Sequence, residues 1–249
     1  MKKYILIFSL FCFTSAFAQL GREGLSPAVT ITSTGASTLP YQPIAGEEAL
    51  YYLNGNSADS SKNHLDGTAN NINYTTDAAF TGFVASFGGT NSYISNTSFT
   101  AMASQDTYMA FAWFKSLNTN RQTLLYVNNG VNNFINLSTS VSATNGYATA
   151  YIVSGVAGDM VTGSTNICDG AKHLIVGVRA RNNLYLYVDG ALIASSSTAT
   201  TTAYSTTELY LGASSNIPDF PFNGLLGASG LVGGAWNAET ILDYYNANK

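Results

Sequence analysis

From Glu47 onward the chain is a series of short apolar runs separated by Asn, Gly, Asp and Ser, with a helical stripe only at its end. Residues 108–116 predict a strand with Met109, Phe111 and Trp113 on one face and Ala110, Ala112 and Phe114 on the other. Apolar residues on both faces mark a central strand of a layered fold. Leu174, Val176 and Val178 alternate with His173, Gly177 and Arg179, and Arg181-Asn182-Asn183 then turns the chain into a strand over 184–188. Asp189-Gly190 predicts a two-residue turn, because both positions tolerate positive φ, and Ala191-Leu192-Ile193 completes a three-strand meander. Residues 209–212 add another strand, after a polar Ser/Thr connection over 195–207. At the end Asn237 can cap a helix, with Glu239 in its first turn and Ile241, Leu242, Tyr244 and Tyr245 as apolar contacts. The pattern predicts an all-β fold with one short C-terminal helix, and no solenoid or propeller period interrupts it.

The N-terminus has a different pattern. Lys2 and Lys3, the apolar run 5–13 and Ala16-Phe17-Ala18 predict a secretory signal over residues 1–18, with Gln19 opening the mature chain. The apolar run is shorter than the ~20 residues a spanning helix needs. Phe11 stands before Cys12 where a lipoprotein signal carries a small residue. Residues 19–46, with Pro27, Pro40, Pro43 and a Thr/Ser-rich run, read as a linker or tail, which leaves 47–249 as the domain. A secreted or periplasmic location without a membrane span is expected. Cys168 is then the only cysteine, so the core must hold the domain without a disulfide; Cys168 itself reads as a buried apolar residue.

Composition narrows the chemistry. Charged residues make up 10% of the chain, against about 25% in ordinary domains. The formal net charge is −4, and loss of Lys2 and Lys3 makes it more negative, which argues against a nucleic-acid partner held by a basic patch. His64 and His173, the two histidines, leave little room for a polyhistidine metal site, and no Gly-x-Ser-x-Gly elbow or glycine-rich nucleotide loop occurs. His64 reads as a surface turn residue and His173 as a structural residue of its strand. The chain is expected not to be an enzyme.

Four segments carry a family resemblance: ALYYLNGNSADSSKNHLDGT (49–68), FVASFGGTNSYIS (83–95), DGAKHLIVGVRARNNLYLYVDGALIAS (169–195) and FNGLLGASGLVGGAWNAETILDYYN (222–246). In order and spacing they resemble the laminin-G-like members of the concanavalin A-like jelly-roll superfamily, bacterial secreted type. The resemblance implies a two-sheet antiparallel β-sandwich, with an opening strand and turn, a strand pair over 83–95, and closing strands before the terminal helix. Two positions depart from the family pattern. Lys172 stands where a Trp precedes the His, and Gly227 and Ala228 stand where an acidic pair is usual.

The resemblance also suggests chemistry. Glucanases of this architecture carry Glu-x-Asp-x-x-Glu on one strand, and none of Glu23, Glu47, Glu48, Glu208 or Glu239 is followed two residues later by Asp. Calcium near the opening turn is implied, with Asp59 as leading ligand and Asn63 beside it, and Ser60 and Asp66 adding hard oxygens. The alternative is an Asx turn in which Asp59 bonds its own backbone two residues on. Stacking on sugars requires exposed aromatic faces, and Tyr74, Tyr93, Tyr126, Tyr147, Tyr151, Tyr204 and Trp236 are the candidates, Trp236 also fitting the start of the helix. The expected function is a secreted, non-catalytic module binding an extracellular carbohydrate or another cell-surface macromolecule. A structural or adhesive surface protein is the alternative, and a glycoside hydrolase with an atypical site a third.

Overall fold

The computed structural model describes residues 46–102, 105–129, 133–140, 144–154, 157–197, 205–214 and 219–249, with the backbone alone for 133–134, 151–154 and 157. The expected signal over 1–18 and almost all of the expected tail over 19–46 lie outside the described residues, as does Tyr204.

Among the described residues fifteen strands and one helix follow in chain order. They are β1 Glu47–Tyr51, β2 Thr68–Asn70, β3 Ile72–Thr76, β4 Phe83–Gly88, β5 Tyr93–Asn96, β6 Thr107–Lys115, β7 Gln122–Asn128 and β8 Asn133–Thr139. Then come β9 Tyr147–Ser154, β10 Ala157–Asn166, β11 Lys172–Ala180, β12 Asn183–Val188, β13 Ala191–Ser197, β14 Glu208–Leu211, β15 Asn223–Gly233 and helix α1 Ala238–Asn248. Sheet A runs β13-β12-β11-β6-β15-β4-β3, with β1 also paired to β15; sheet B runs β10-β9-β8-β7-β14-β5-β2. Every pairing is antiparallel. The two sheets form the expected sandwich.

The core lies between the sheets. Ala110, Ala112 and Phe114 of β6 point into it, with Leu125 and Val127 of β7 and Ile135 and Leu137 of β8 opposite. At its centre the layers approach so closely that a Cβ on Gly177 would lie 2.8 Å from Leu137 and 3.0 Å from Ala150, so the small residue sets the sheet spacing. Met109, Phe111 and Trp113 point the other way, into a second cluster under α1 with Val176, Ile241 and Tyr244. Asn237 caps α1 as the sequence predicts, its Oδ1 accepting from the Thr240 amide at 2.8 Å. Trp236 packs edge-on against Tyr244, ring centroids 5.4 Å apart.

The meander forms as expected, and Asp189 and Gly190 both take positive φ (52° and 82°) at its turn. Three segments differ from the sequence expectation. The strand pair over 83–95 is not a hairpin: β4 belongs to sheet A and β5 to sheet B, and the intervening turn, with Gly89 and Asn91 at positive φ, carries the chain around the sandwich edge. A single eleven-residue strand, β15, replaces the closing strands, pairing with β6 on one side and with β4 and then β1 on the other. The polar connection begins later than expected, because Ser195–Ser197 still pair with Tyr185, Leu184 and Asn183 on β12.

Candidate ligand-binding face

The face of sheet B turned away from the core differs chemically from the rest of the molecule. Leu125, Val127, Ile135, Leu137, Leu209 and Leu211 face inward, so alternation turns Tyr126, Asn128, Asn136, Ser138, Glu208 and Tyr210 outward. Register aligns these into rows across the strands. One row joins Ser95, Tyr210, Tyr126, Asn136, Tyr151 and Met160 on β5, β14, β7, β8, β9 and β10. The next joins Thr123, Ser138, Thr149 and Thr162.

These outward side chains form a closely packed, largely buried patch. Tyr126 exposes 8% of its surface, Tyr210 6%, Asn136 3%, and Thr123, Ser138 and Thr149 none. The Tyr126 and Tyr210 rings lie 6.5 Å apart at 59°. Asn128 Nδ2 donates to Glu208 Oε2 at 3.0 Å on one flank. Thr149 and Thr162 hydroxyls pair at 3.4 Å on the other. Between them, Thr123 Oγ1, Asn136 Oδ1 and Ser138 Oγ have no hydrogen-bond partner among the described residues. A buried polar atom left unpaired costs about 1–3 kcal/mol, so three in one patch form a standing demand for hydrogen-bonding groups from outside the fold. Burial, and then the neighbouring Glu208, Tyr93 and Tyr126, push the Tyr210 phenol above its ordinary pKa.

The expected aromatic candidates separate by sheet. Tyr126 is central to the patch, Tyr93 and Tyr147 lie on the same face by alternation, and Tyr151 holds a register position in the first row. Tyr74 instead packs against the inner core, and Trp236 belongs to the helix cluster. Sequence reading missed Tyr210, Asn136 and Asn128. The signal was present as alternation in Leu125-Tyr126-Val127-Asn128 and Ile135-Asn136-Leu137-Ser138.

Asp59 is 3% exposed and its carboxylate organises the opening turn. Oδ1 accepts from the amides of Leu50 and Ser61, and Oδ2 from the Leu65 amide and the Ser61 hydroxyl, all at 2.9 Å. The Ser61 amide bond is that of the Asx turn. Asp66 comes close, its Oδ1 accepting from the Asp59 amide at 2.9 Å. Asn63 turns its amide nitrogen to Glu48, donating to the backbone oxygen at 2.8 Å and to Oε2 at 3.1 Å. A cation here would share the Asp59 oxygens with four protein donors. No group of three or more His, Cys, Asp or Glu able to hold a metal occurs among the described residues. Ala228, where the family carries an acid, is buried in the helix-side cluster.

His173 lies between two carboxylates, Nδ1 2.7 Å from Asp189 and Nε2 3.1 Å from Asp169. Burial depresses its pKa, but the contacts with Asp189 and then Asp169 outweigh burial and hold it above the ordinary value. Asp189 also accepts from the Leu174 amide at 2.9 Å, so the cluster ties the meander turn to the start of β11. Lys172, in place of the family Trp, sets its ammonium 4.8 Å from the Trp113 ring centroid and donates to the Asn248 carbonyl at the end of α1. Burial pushes the Cys168 thiol up to about 11, so it stays protonated and unreactive.

Residues 87–242 match the family model described as the concanavalin A-like lectin/glucanases superfamily. The chain belongs to that superfamily. Among solved members of this architecture, domain 4 of AbnA, a GH43 extracellular arabinanase from Geobacillus stearothermophilus solved with arabinotriose, is 20% identical. It aligns over 80% of this chain and 98% of its own, with a TM-score of 0.65. The botulinum neurotoxin serotype D/C binding domain is 11% identical over 82% of this chain, at a TM-score of 0.62. The binding domain of Paraclostridial Mosquitocidal Protein 1 is 14% identical over 80%, at a TM-score of 0.62. This chain spans about half the length of each toxin chain, 52% and 51%. No curated protein sequence matches.

Proposed function

We propose that this superfamily member is a secreted, non-catalytic module that binds extracellular carbohydrate on the outer face of sheet B. The observation that carries the reading is the patch itself: two tyrosine rings beside three buried, unpartnered polar atoms. Sugars present apolar C–H faces that stack on rings and hydroxyls that pair with amides and hydroxyls. The arabinanase domain was solved with arabinotriose, and a botulinum DC binding domain with SialylT, which supports carbohydrate as the ligand class. The non-catalytic part rests on the same rows. Glycoside hydrolysis uses two carboxyl groups across the bond, and Glu208 is the only one among the outward residues of these strands.

Binding of the purified protein to a broad glycan array, with calcium and again with chelator, tests the reading. A saturable, sugar-competed signal lost in Tyr126→Ala supports it; a blank array from folded protein overturns it. The chelator arm reads calcium at Asp59 and Asn63, a separate proposal that stands on the family resemblance. Secretion is tested by sequencing the mature N-terminus, expected at Gln19.

A second reading, adhesion through protein contacts, is favoured by one feature. The edge strand β13 exposes Leu192 by 51% and Ile193 by 41%, with no Lys or Pro to guard it. It predicts concentration-dependent self-association that soluble sugars do not relieve.

A further inference from the structure

We propose that the face of sheet B takes an uncharged polyhydroxyl chain lying across the strands, and rejects polysaccharides bearing carboxylate or sulfate groups. This rests on the reading that the face binds carbohydrate and adds the class of carbohydrate.

Charge is the first argument. The seven strands of sheet B contain no Lys, Arg or His, and their two acids are Asp159 and Glu208. Asp159 has the inward parity of Val161, which leaves Glu208 as the charge on the outer face. Recognition of an anionic sugar needs a cation with directed N–H groups. The cations nearby in sequence are committed elsewhere. Arg121, just before β7, has the outward parity of Thr123 but is laid against the Phe220 ring, 3.6 Å from its centroid; Lys115 is paired with Asp77 at 2.8 Å, and Lys172 serves the helix end. At this half-buried position the Glu208 carboxylate repels a second anion more strongly than it would in bulk solvent.

The second argument is donor and acceptor parity. Asn136 Oδ1 is an acceptor only, is buried, and lacks a donor among the described residues. A carboxylate or sulfate offers acceptors alone, whereas each sugar hydroxyl can donate and accept. The Thr123 and Ser138 hydroxyls beside it can do either, so a polyhydroxyl ligand satisfies all three at once.

Register supplies direction. Thr123, Ser138, Thr149 and Thr162 stand on four adjacent strands, so the hydroxyl row spans about 14 Å at the usual strand spacing of about 4.8 Å. Tyr210, Tyr126 and Asn136 run parallel to it. A chain laid along the rows meets a polar group at every strand, which a single sugar or a chain end does not use.

The test is calorimetry and affinity electrophoresis of the purified protein with debranched arabinan and galactomannan as neutral probes, and polygalacturonate and alginate as acidic ones, at low and high salt. The expected result is binding to at least one neutral probe, insensitive to salt, weakened roughly tenfold or more in Asn136→Ala and Tyr126→Ala. Affinity is expected to rise over an oligosaccharide series of the bound polymer from two to four units. Ser138→Ala, which removes a hydroxyl without stranding a donor, serves as the weakening variant should the first two fail to fold. Glu208→Lys is expected to admit polygalacturonate, a gain that misfolding cannot mimic.

Salt-sensitive binding of the acidic probes alone, weakened by Tyr126→Ala, overturns the neutral class while the carbohydrate reading stands. A flat length series overturns the chain lying across the strands. Silence with all four probes, or binding untouched by every face variant, overturns the carbohydrate reading of this face itself.

Discussion

The outer faces of the two sheets are built on the same antiparallel scaffold and carry opposite chemistry. On sheet A, Met109, Phe111 and Trp113 of β6 and Leu174, Val176 and Val178 of β11 form an apolar surface that could not face water. Helix α1 covers it: Tyr244 meets Phe111 edge-on at 5.7 Å and Tyr245 stacks on Trp113 at 5.8 Å and 14°. On sheet B the equivalent positions are Tyr, Asn, Ser and Thr, several of them buried without partners. A sheet whose outer face is apolar must bring its own cover. One whose outer face is polar and under-satisfied fits the proposed cover by a bound ligand.

The largest effect separating the two faces is expected on sheet A. Trp113→Ala should cost about 3–5 kcal/mol in denaturant unfolding, as for other buried aromatic truncations, and leave glycan affinity of the folded fraction unchanged. Equal loss of binding would show that the faces are coupled. Thr123→Val on sheet B should do the opposite. Replacing a buried, unpartnered hydroxyl by an isosteric methyl should raise stability by about 1 kcal/mol while weakening glycan binding, so a destabilised variant would show that the hydroxyl already has a use within the fold.

A smaller effect comes from pH, and it belongs to sheet A. The folded pKa of His173 is raised above its unfolded value of about 6.5. Its stabilising contribution is therefore fully present below about 6.5 and is lost as pH rises through the folded pKa. Melting temperature should fall over that rise and the fall should flatten in His173→Gln, with glycan affinity unmoved. The smallest expected effect is that of chelator on melting temperature. The four donors on Asp59 close the opening turn from within, so a shift of several degrees on removing calcium would show that the turn needs the metal.

The same contrast governed what the sequence revealed. Strands β6, β11 and β12 were legible because residues point to apolar surroundings on both sides, and the turn chemistry of Asp189-Gly190 fixed their connection. Strands β7 to β10, which hold most of the outer-face patch, carry only the weaker signal of one apolar face. In β8 the inward Ile135 and Leu137 are separated by Asn136 and Ser138, and in β10 Gly163 stands inward where an apolar side chain would have marked the period. The sequence reading therefore placed no strand over these Asn-, Ser- and Thr-rich segments, which fold as strands with one polar half. The opening turn was legible in outline, yet whether Asp59 faced a cation or its own amides depended on three-dimensional convergence of Leu50, Ser61 and Leu65, which spacing alone does not give.

The positions of β14 and β15 have a consequence for how the molecule is made. These are the last two strands of the chain, yet each lies inside its sheet, β14 between β7 and β5 and β15 between β6 and β4. A nascent chain short of residue 208 therefore holds four half-sheets, β13 to β6 and β4 to β3 on one side, β10 to β7 and β5 to β2 on the other, with their inner edges unpaired. Sequential folding from the N-terminus cannot close either layer. The core forms in a late step that inserts two strands into waiting gaps, a high-contact-order event and a slow one. Truncation ahead of β14 leaves both layers open, and truncation ahead of β15 leaves sheet A open, with edges ready to pair with other chains.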